Sequence, residues 1–282
     1  SFFDPHPPYL VPEPWDTMYD PSSITVPTIS VGEHELNPPH FGLTQEAKPD
    51  FGQWEESGHR IQGFASHLVP ESERARNVAT YYAMISLMDK YIGVILNRLD
   101  ELGIAESTLV VFTTDHGHFF GQHGLQTKGA FHYEDLIRVP FIARMQGTVQ
   151  EGMRTNAIQS HVDLAPTFLE MTGIRIPRTM TGVSQWSVWT GTAATARDHA
   201  VCEFHHEPST LNLRTFVDHR YKITVYQGKH YGELFDLLED PGELSNLWND
   251  PSCVALKQDL LLRYIWAELS KEPMWMPRVA AA

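Results

Sequence analysis

The chain has 282 residues, of which 42% are hydrophobic and 20% charged, and a formal net charge of −14. That composition is globular rather than disordered. No window approaches the roughly 18 uninterrupted apolar residues of a membrane span, and the acidity excludes a general binder of nucleic acid or of membrane surfaces, which needs a basic face.

The first 70 residues hold 11 of the 19 prolines. Proline cannot donate to a ladder or sit in a helix interior, so this stretch is expected to be irregular, with at most a short strand at its start, wrapped over a core built elsewhere. Residues 72–102 form the clearest helix. Val78, Tyr82, Ile85, Met88, Ile92, Ile95, Leu99 and Leu102 recur at three- and four-residue steps as one apolar stripe, between Pro70 and a closing Gly103. Leu109–Phe112 is a continuous run of β-formers that fits a strand buried on both faces, as in a parallel sheet, and Val139-Pro140-Phe141-Ile142 starts another. Ser160 to Met171 is a helix, opened by the capping-type spacing of Ser160 and Asp163 and stopped at Gly173.

From about residue 196 the texture changes. Ala200–Phe204, Arg214–Val217, Tyr221–Tyr226 and Glu233–Asp236 are short β-rich runs separated by turn residues, which predicts a small antiparallel sheet, and Leu256 to Leu269 reads as an amphipathic terminal helix. The expected class is α/β, with a catalytic-type domain over 1–195 and a small α+β subdomain over 196–282. Open parallel sheets usually have about five or six strands, and fewer are legible here. The chain therefore reads as the second half of an α/β domain, with one flank of its sheet exposed if it stands alone.

The densest chemistry follows the first strand, in Thr113-Thr114-Asp115-His116-Gly117-His118-Phe119-Phe120-Gly121-Gln122-His123-Gly124. A carboxylate and an imidazole at the carboxyl end of a strand stand where open α/β sheets place ligands, and the glycines permit the sharp turn that lets both reach one metal. Taken alone, an Asp-His-Gly is more often a surface turn. Lys128, flanked by Gly129, suits an oxyanion. His6, in Asp4-Pro5-His6-Pro7-Pro8-Tyr9, is presented on a stiff backbone and suits a general acid. The two cysteines, Cys202 and Cys253, are too few for a disulfide framework or a Cys-rich zinc site.

Together these segments resemble the second signature region of the sulfatases, members of the alkaline-phosphatase-like superfamily of metal-dependent hydrolases. The resemblance runs through Lys128-Gly129, Tyr133 to Pro140, His161 to Leu169 with Gly173, Asp218 to Lys222, and Glu233 to Leu237 with Asp240-Pro241 and Glu243. It implies part of an alkaline-phosphatase-like, mostly parallel sheet flanked by helices, plus a small C-terminal antiparallel-sheet subdomain with a terminal helix. It also implies hydrolysis of a sulfate ester. Asp115 and His116 would be metal ligands, and Lys128 and His6 would be catalytic groups on the sulfate and the leaving oxygen. His118, His123 and His205 are candidate substrate contacts, with His132 and His206 as further candidates. Glu134 and Arg138 are expected to be a structural ion pair.

The resemblance implies calcium, since many sulfatases carry Asn at the position of His116, and Asn with carboxylates favours a hard ion. The imidazole of His116 opens the way to manganese, zinc or iron. The family's formylglycine arises from a Cys- or Ser-x-Pro-x-Arg segment, and no such segment occurs in this sequence. The expectation is therefore a C-terminal portion, inactive alone, that needs a missing N-terminal half carrying the nucleophile. Carbohydrate, aryl and small alkyl sulfates all remain open as substrates. A phosphonate monoester or phosphodiester hydrolase and a non-catalytic binding homologue are the alternatives.

Overall fold

The computed structural model describes residues 1–52, 63, 66–205 and 211–271. His206 lies outside the described residues. The chain divides into two compact units, one of Ser1–Gln146 with the segment Phe204–Asn212, the other of Gly147–Glu203 with the chain from Leu213 onward. Among the described residues no helix is long and apolar enough to cross a membrane.

In the first unit the proline-rich start is irregular, as expected. Its described residues form 3-10 turns at Trp15–Thr17 and Pro21–Ser23 and one short helix, α1 (Pro39–Leu43), and no strand. It packs across the long helix α2 (Glu71–Glu101). Tyr19 lies edge-on to Tyr82 with ring centroids 5.6 Å apart, and its hydroxyl is 2.8 Å from the Ser86 hydroxyl. The predicted stripe is buried only in part: Val78 is buried, with Ala79, Ala83 and Met84, and Met88, Ile92 and Leu99 are half-buried, while Tyr82, Ile85, Ile95 and Leu102 are exposed. Two alanines let neighbouring chain approach closely, so the packed face is turned toward them. The helix ends at Gly103 in the left-handed region, with the Ile104 N–H reaching the Leu99 carbonyl at 3.1 Å, a Schellman closure.

β1 (Val110–Thr113) leads into a hairpin of β2 (Phe119–Phe120) and β3 (Gln126–Thr127), then α3 (Glu134–Ile137) and β4 (Phe141–Arg144). The two-sided burial expected of β1 and β4 is not met. They pair with each other, antiparallel, from Val110↔Arg144 to Thr113↔Phe141, and Phe112 and Ile142 are 40% and 61% exposed. With one partner strand apiece among the described residues, their outer faces stay uncovered. The core of this unit lies beneath the hairpin instead, where Phe41, Phe119, Leu125, Phe131 and Tyr133 are fully buried. Phe41 meets Phe131 edge-on at 4.9 Å, the arrangement aromatic rings prefer. Glu134 and Arg138 are paired at 3.9 Å.

In the second unit the Ser160/Asp163 capping box opens a 3-10 turn, His161–Asp163, that continues as α4 (Leu164–Met171) and closes at Gly173. α5 (Trp186–Trp189) follows. The predicted sheet is present as β5 (Ala200–His205), β6 (Asn212–Val217), β7 (Tyr221–Tyr226) and β8 (Gly232–Asp236), in that order, with β6–β7 and β7–β8 antiparallel. The terminal helix α6 (Val254–Ser270) sets Leu260 and Ala267 into a core with Phe216, Ile223 and Leu234. Lys222 and Glu243, both buried, form an ion pair inside this unit.

Candidate active site

β1 delivers Asp115 and His116 to a turn that only a glycine could continue. A Cβ on Gly117 would overlap the backbone carbonyl of Asp135, and the Gly117 N–H donates to the Leu136 carbonyl at 2.7 Å. The turn is pinned from within. Asp115 Oδ1 accepts from the His116 N–H at 3.0 Å and from the Thr114 hydroxyl at 3.1 Å. Burial raises the affinity of the Asp115 carboxyl for its proton, but the neighbouring His116 charge and these hydrogen bonds outweigh it and hold the pKa below the ordinary value.

His116 is oriented for ligation. Its Nδ1 donates to the Gly117 carbonyl at 2.8 Å, and its Nε2 accepts from Lys128 Nζ at 3.1 Å and lies 3.4 Å from Asp115 Oδ2. Fixing one ring nitrogen on a carbonyl sets the direction of the other, as in metal-ligating histidines; here that second nitrogen is met by the Lys128 ammonium, which a metal would displace. The Asp115 side chain is 81% exposed, so its second oxygen is open. Imidazole nitrogen and carboxylate oxygen fit part of a divalent-metal shell. A full shell takes four or more donors, and no group of three His, Cys, Asp or Glu residues suited to a metal occurs among the described residues.

His118 and His6 border the same charges. The His118 pKa is pushed down to about 4, first by burial and then by the charges of His116, Lys128 and His6. The neutral ring accepts from the Tyr9 hydroxyl at 2.5 Å. Burial, with Tyr81 adding, pushes the Tyr9 hydroxyl up to about 12. Tyr81 stacks on His118 at 5.9 Å, and Phe120 closes the cluster at 4.7 Å from both Tyr81 and His118. His6 Nδ1 lies 2.7 Å from the Pro7 carbonyl and its ring rests 4.8 Å from Phe3.

Asp115, His116, Lys128, His118 and His6 thus share one locality. His123 does not turn its ring toward it: the ring is buried, with Nδ1 2.6 Å from Glu33 Oε1 and Nε2 3.4 Å from Asp135 Oδ2. His132 is also buried, and His205 is exposed at the end of β5. Tyr81, Glu33 and Asp135 were not legible as site-related residues, because each acts through a partner far away in sequence. Tyr9 could be suspected from its place beside the Pro-His-Pro-Pro run.

Residues 1–174 match the sulfatase family model, and residues 121–269 match the model described as N-sulphoglucosamine sulphohydrolase, C-terminal. The chain belongs to the sulfatase family. It is 29% identical over 188 residues to an N-acetylglucosamine-6-O-sulfatase of Bacteroides thetaiotaomicron, covering 64% of this chain and 34% of the relative. A solved structure in complex with its substrate D-glucosamine-2-N,6-O-disulfate matches with a TM-score of 0.67 and 25% identity, over 73% of this chain and 44% of that one. The phosphonate monoester hydrolase of Agrobacterium radiobacter shares the fold over 96% of this chain and 56% of its own, with a TM-score of 0.80 at 24% identity. The fold is α/β and alkaline-phosphatase-like, with the small antiparallel sheet and its terminal helix as predicted. The chain spans between a third and about half the length of these proteins.

Proposed function

We propose that the chain supplies the Asp115–His116–Lys128 part of the active site of a sulfuric ester hydrolase whose substrate is a sulfated sugar. The observation that carries the reading is the contact of Lys128 Nζ with His116 Nε2 at 3.1 Å, beside an Asp115 carboxylate 3.4 Å from the same nitrogen. A cation and two metal-type donors converge on one point, which is the arrangement a sulfate group with several negative oxygens requires.

Asp115 and His116 would hold a divalent metal, calcium by its carboxylate character or manganese, zinc or iron by its imidazole. Such an ion neutralises charge that develops on the sulfate oxygens. Lys128 donates to those oxygens. His6 gives a proton to the departing alcohol oxygen, a role its constrained backbone favours by keeping the ring in place. His118, neutral and tied to Tyr9, offers an uncharged wall to the sugar. His123 and His205 take no part in this scheme, the first because both ring nitrogens face carboxylates, the second because no contact among the described residues brings it to the cluster. The sugar assignment is supported by two of the matches, an N-acetylglucosamine-6-O-sulfatase and a structure that holds D-glucosamine-2-N,6-O-disulfate. No Cys- or Ser-x-Pro-x-Arg segment occurs in these 282 residues, so the formylglycine nucleophile is assigned to sequence beyond them.

The test is sulfate release from glucosamine 6-sulfate and an aryl sulfate, set against phosphonate release from a phenylphosphonate ester. Each is run with this chain alone and with its full reading frame. The expected result is turnover of the sulfates by the full protein, lost on chelation, and none by the chain alone. Turnover by the chain alone would sink the half-site assignment. A preference for the phosphonate would replace the sulfate ester with the alternative substrate class.

A further inference from the structure

His123 lies outside the cluster that would touch substrate, yet its ring is buried and met by a carboxylate at each nitrogen. Its backbone is left-handed, φ 56° and ψ 22°, a conformation disfavoured for a residue with a side chain unless the surroundings impose it. The His123 side chain is 7% exposed and that of Glu33 2%. The ring lies flat on Tyr133, with centroids 3.6 Å apart and planes 3° from parallel. The His123 carbonyl accepts from His34 Nε2 at 2.9 Å, and Asn37 Nδ2 donates to the Tyr133 hydroxyl at 2.9 Å. One histidine therefore ties the irregular 30–37 segment to the chain between residues 123 and 135.

Asp135 carries that tie to the metal-type turn. Its carbonyl fills the space a Cβ on Gly117 would need, and the next carbonyl, of Leu136, receives the Gly117 N–H at 2.7 Å. Gly117 follows His116 directly and its own carbonyl holds His116 Nδ1. We propose that His123 is a positioning residue: by bridging Glu33 and Asp135 it fixes the Asp135–Leu136 backbone against Gly117 and so sets the direction in which Asp115 and His116 point. Its bearing on catalysis rests on the half-site reading above, whereas the mechanical link stands on its own contacts.

The bridge needs a proton on each ring nitrogen, since each faces a carboxylate. Burial alone would strip the ring of charge. Asp135 and Glu33 outweigh burial and raise the His123 pKa above its ordinary value. The other titratable groups beside it are Tyr133, stacked on its ring, and His34, kept toward neutrality chiefly by its own burial. As pH rises through the raised value, His123 gives up a proton, one carboxylate loses its donor, and the clamp on Asp135 loosens.

The experiment is amide hydrogen exchange of the whole chain, read as the protection factor at Gly117. In His123→Asn, chosen because Asn tolerates the left-handed region, Gly117 protection is expected to fall by about tenfold or more. Ile223 and Leu234 in the second unit keep theirs. In the unmodified chain Gly117 protection falls as pH rises, and Glu33→Gln moves that transition to lower pH, a shift that a purely structural histidine would not show. If His123→Asn fails to fold, the Glu33→Gln shift decides alone. Unchanged Gly117 protection in His123→Asn, a transition indifferent to Glu33→Gln, or an equal loss at every amide of the first unit would each overturn the proposal. Broadening of the Asp115 and His116 signals by Mn²⁺, lost in His116→Ala, tests the half-site reading separately. Its absence beside a positive Gly117 result would leave a real clamp on a turn that binds no metal.

Discussion

Two regions of this molecule use the same residue types to opposite ends. Around β7 and β8, cations and carboxylates pair with one another. Lys222 and Glu243 pair in the interior, and Arg220 Nη2 and Nε both reach Asp236, at 2.7 and 3.0 Å to Oδ2. At the foot of α4, Asp163 accepts from the Ser160 and Val183 N–H groups, from Gln185 Nε2 and from Arg197. In the Asp115–Lys128 turn the opposite holds. A carboxylate is largely exposed, and the free face of an imidazole is turned toward an ammonium. Read as sequence, Asp163, Lys222 and Asp236 belong to the sulfatase resemblance as surely as Asp115 does. Structure separates them by how much bonding capacity is already spent. A saturated charge builds the fold, and an unsaturated one is available to a ligand.

The comparison breaks most visibly if a saturated pair turns out to be dispensable. Glu243→Gln leaves the Lys222 charge buried without its counter-charge and should lower stability by about 3–5 kcal/mol, the usual cost of breaking a buried pair from one side. Adding Lys222→Met should recover most of that loss, since two neutral groups can replace a buried pair at little cost. Chemical unfolding of the two variants checks this. A loss below about 1 kcal/mol in Glu243→Gln would mean that the pair contributes no more than a surface bridge.

Asp163→Asn comes next, at about 2–3 kcal/mol. It keeps the shape but removes the charge facing Arg197 and turns one acceptor into a donor. Thermal unfolding should show it. An unaffected midpoint would reduce Asp163 to a helix cap, worth about 1 kcal/mol.

These hubs show what a sequence reveals and what it withholds. The Ser160/Asp163 cap, the Gly103 and Gly173 stops, the β5–β8 sheet and α6 all follow local rules, and all were legible. Asp115, His116 and Lys128 were legible too, because they lie within one short stretch after a strand. The burial of β1 was misjudged, because a run of β-formers does not say how many strands will cover it. The face of α2 was legible only in part, at Val78, because periodicity weighs Tyr82 and Ile85 above Ala79 and Ala83, whereas packing favoured the small residues. Glu33 meeting His123 and Tyr9 meeting His118 are contacts across 90 and 109 positions, and no local pattern announces such pairs.

Burial without a counter-charge offers an intermediate case in the first unit. His40 is fully buried beside Phe41 and Phe131, with Nε2 donating to the Ala130 carbonyl at 3.2 Å. Burial pushes its pKa down from 6.5 to about 3. The unfolded chain takes up that proton near 6.5 and the folded one only near 3, so between those limits the unfolded state binds more protons. The His40 contribution to stability is therefore complete above 6.5 and is lost as pH falls, at about 1.4 kcal/mol per pH unit. The difference between the unmodified chain and His40→Gln, followed by denaturant unfolding in steps from neutral pH to about pH 5, isolates this slope from the carboxylates, which titrate lower. Parallel curves would show that His40 is protonated without cost in the folded state.

The smallest effect on stability is expected where the effect on function should be largest. Asp115→Asn and Lys128→Ala remove charges whose bonding capacity the fold has only partly consumed, so each should change stability by no more than about 0.5 kcal/mol. Lys128→Ala gives up one hydrogen bond, to His116 Nε2, which keeps its change on the side of a small loss. In the complete enzyme the same substitution should lower kcat/KM by about a hundredfold or more, the loss typical of one preorganised donor to a developing oxyanion. Measuring both quantities on one variant is what gives the comparison its force. A residue that cost stability and activity together would belong with Lys222 and Asp163 as part of the scaffold. A residue that costs activity alone is one whose charge was held in reserve for the substrate.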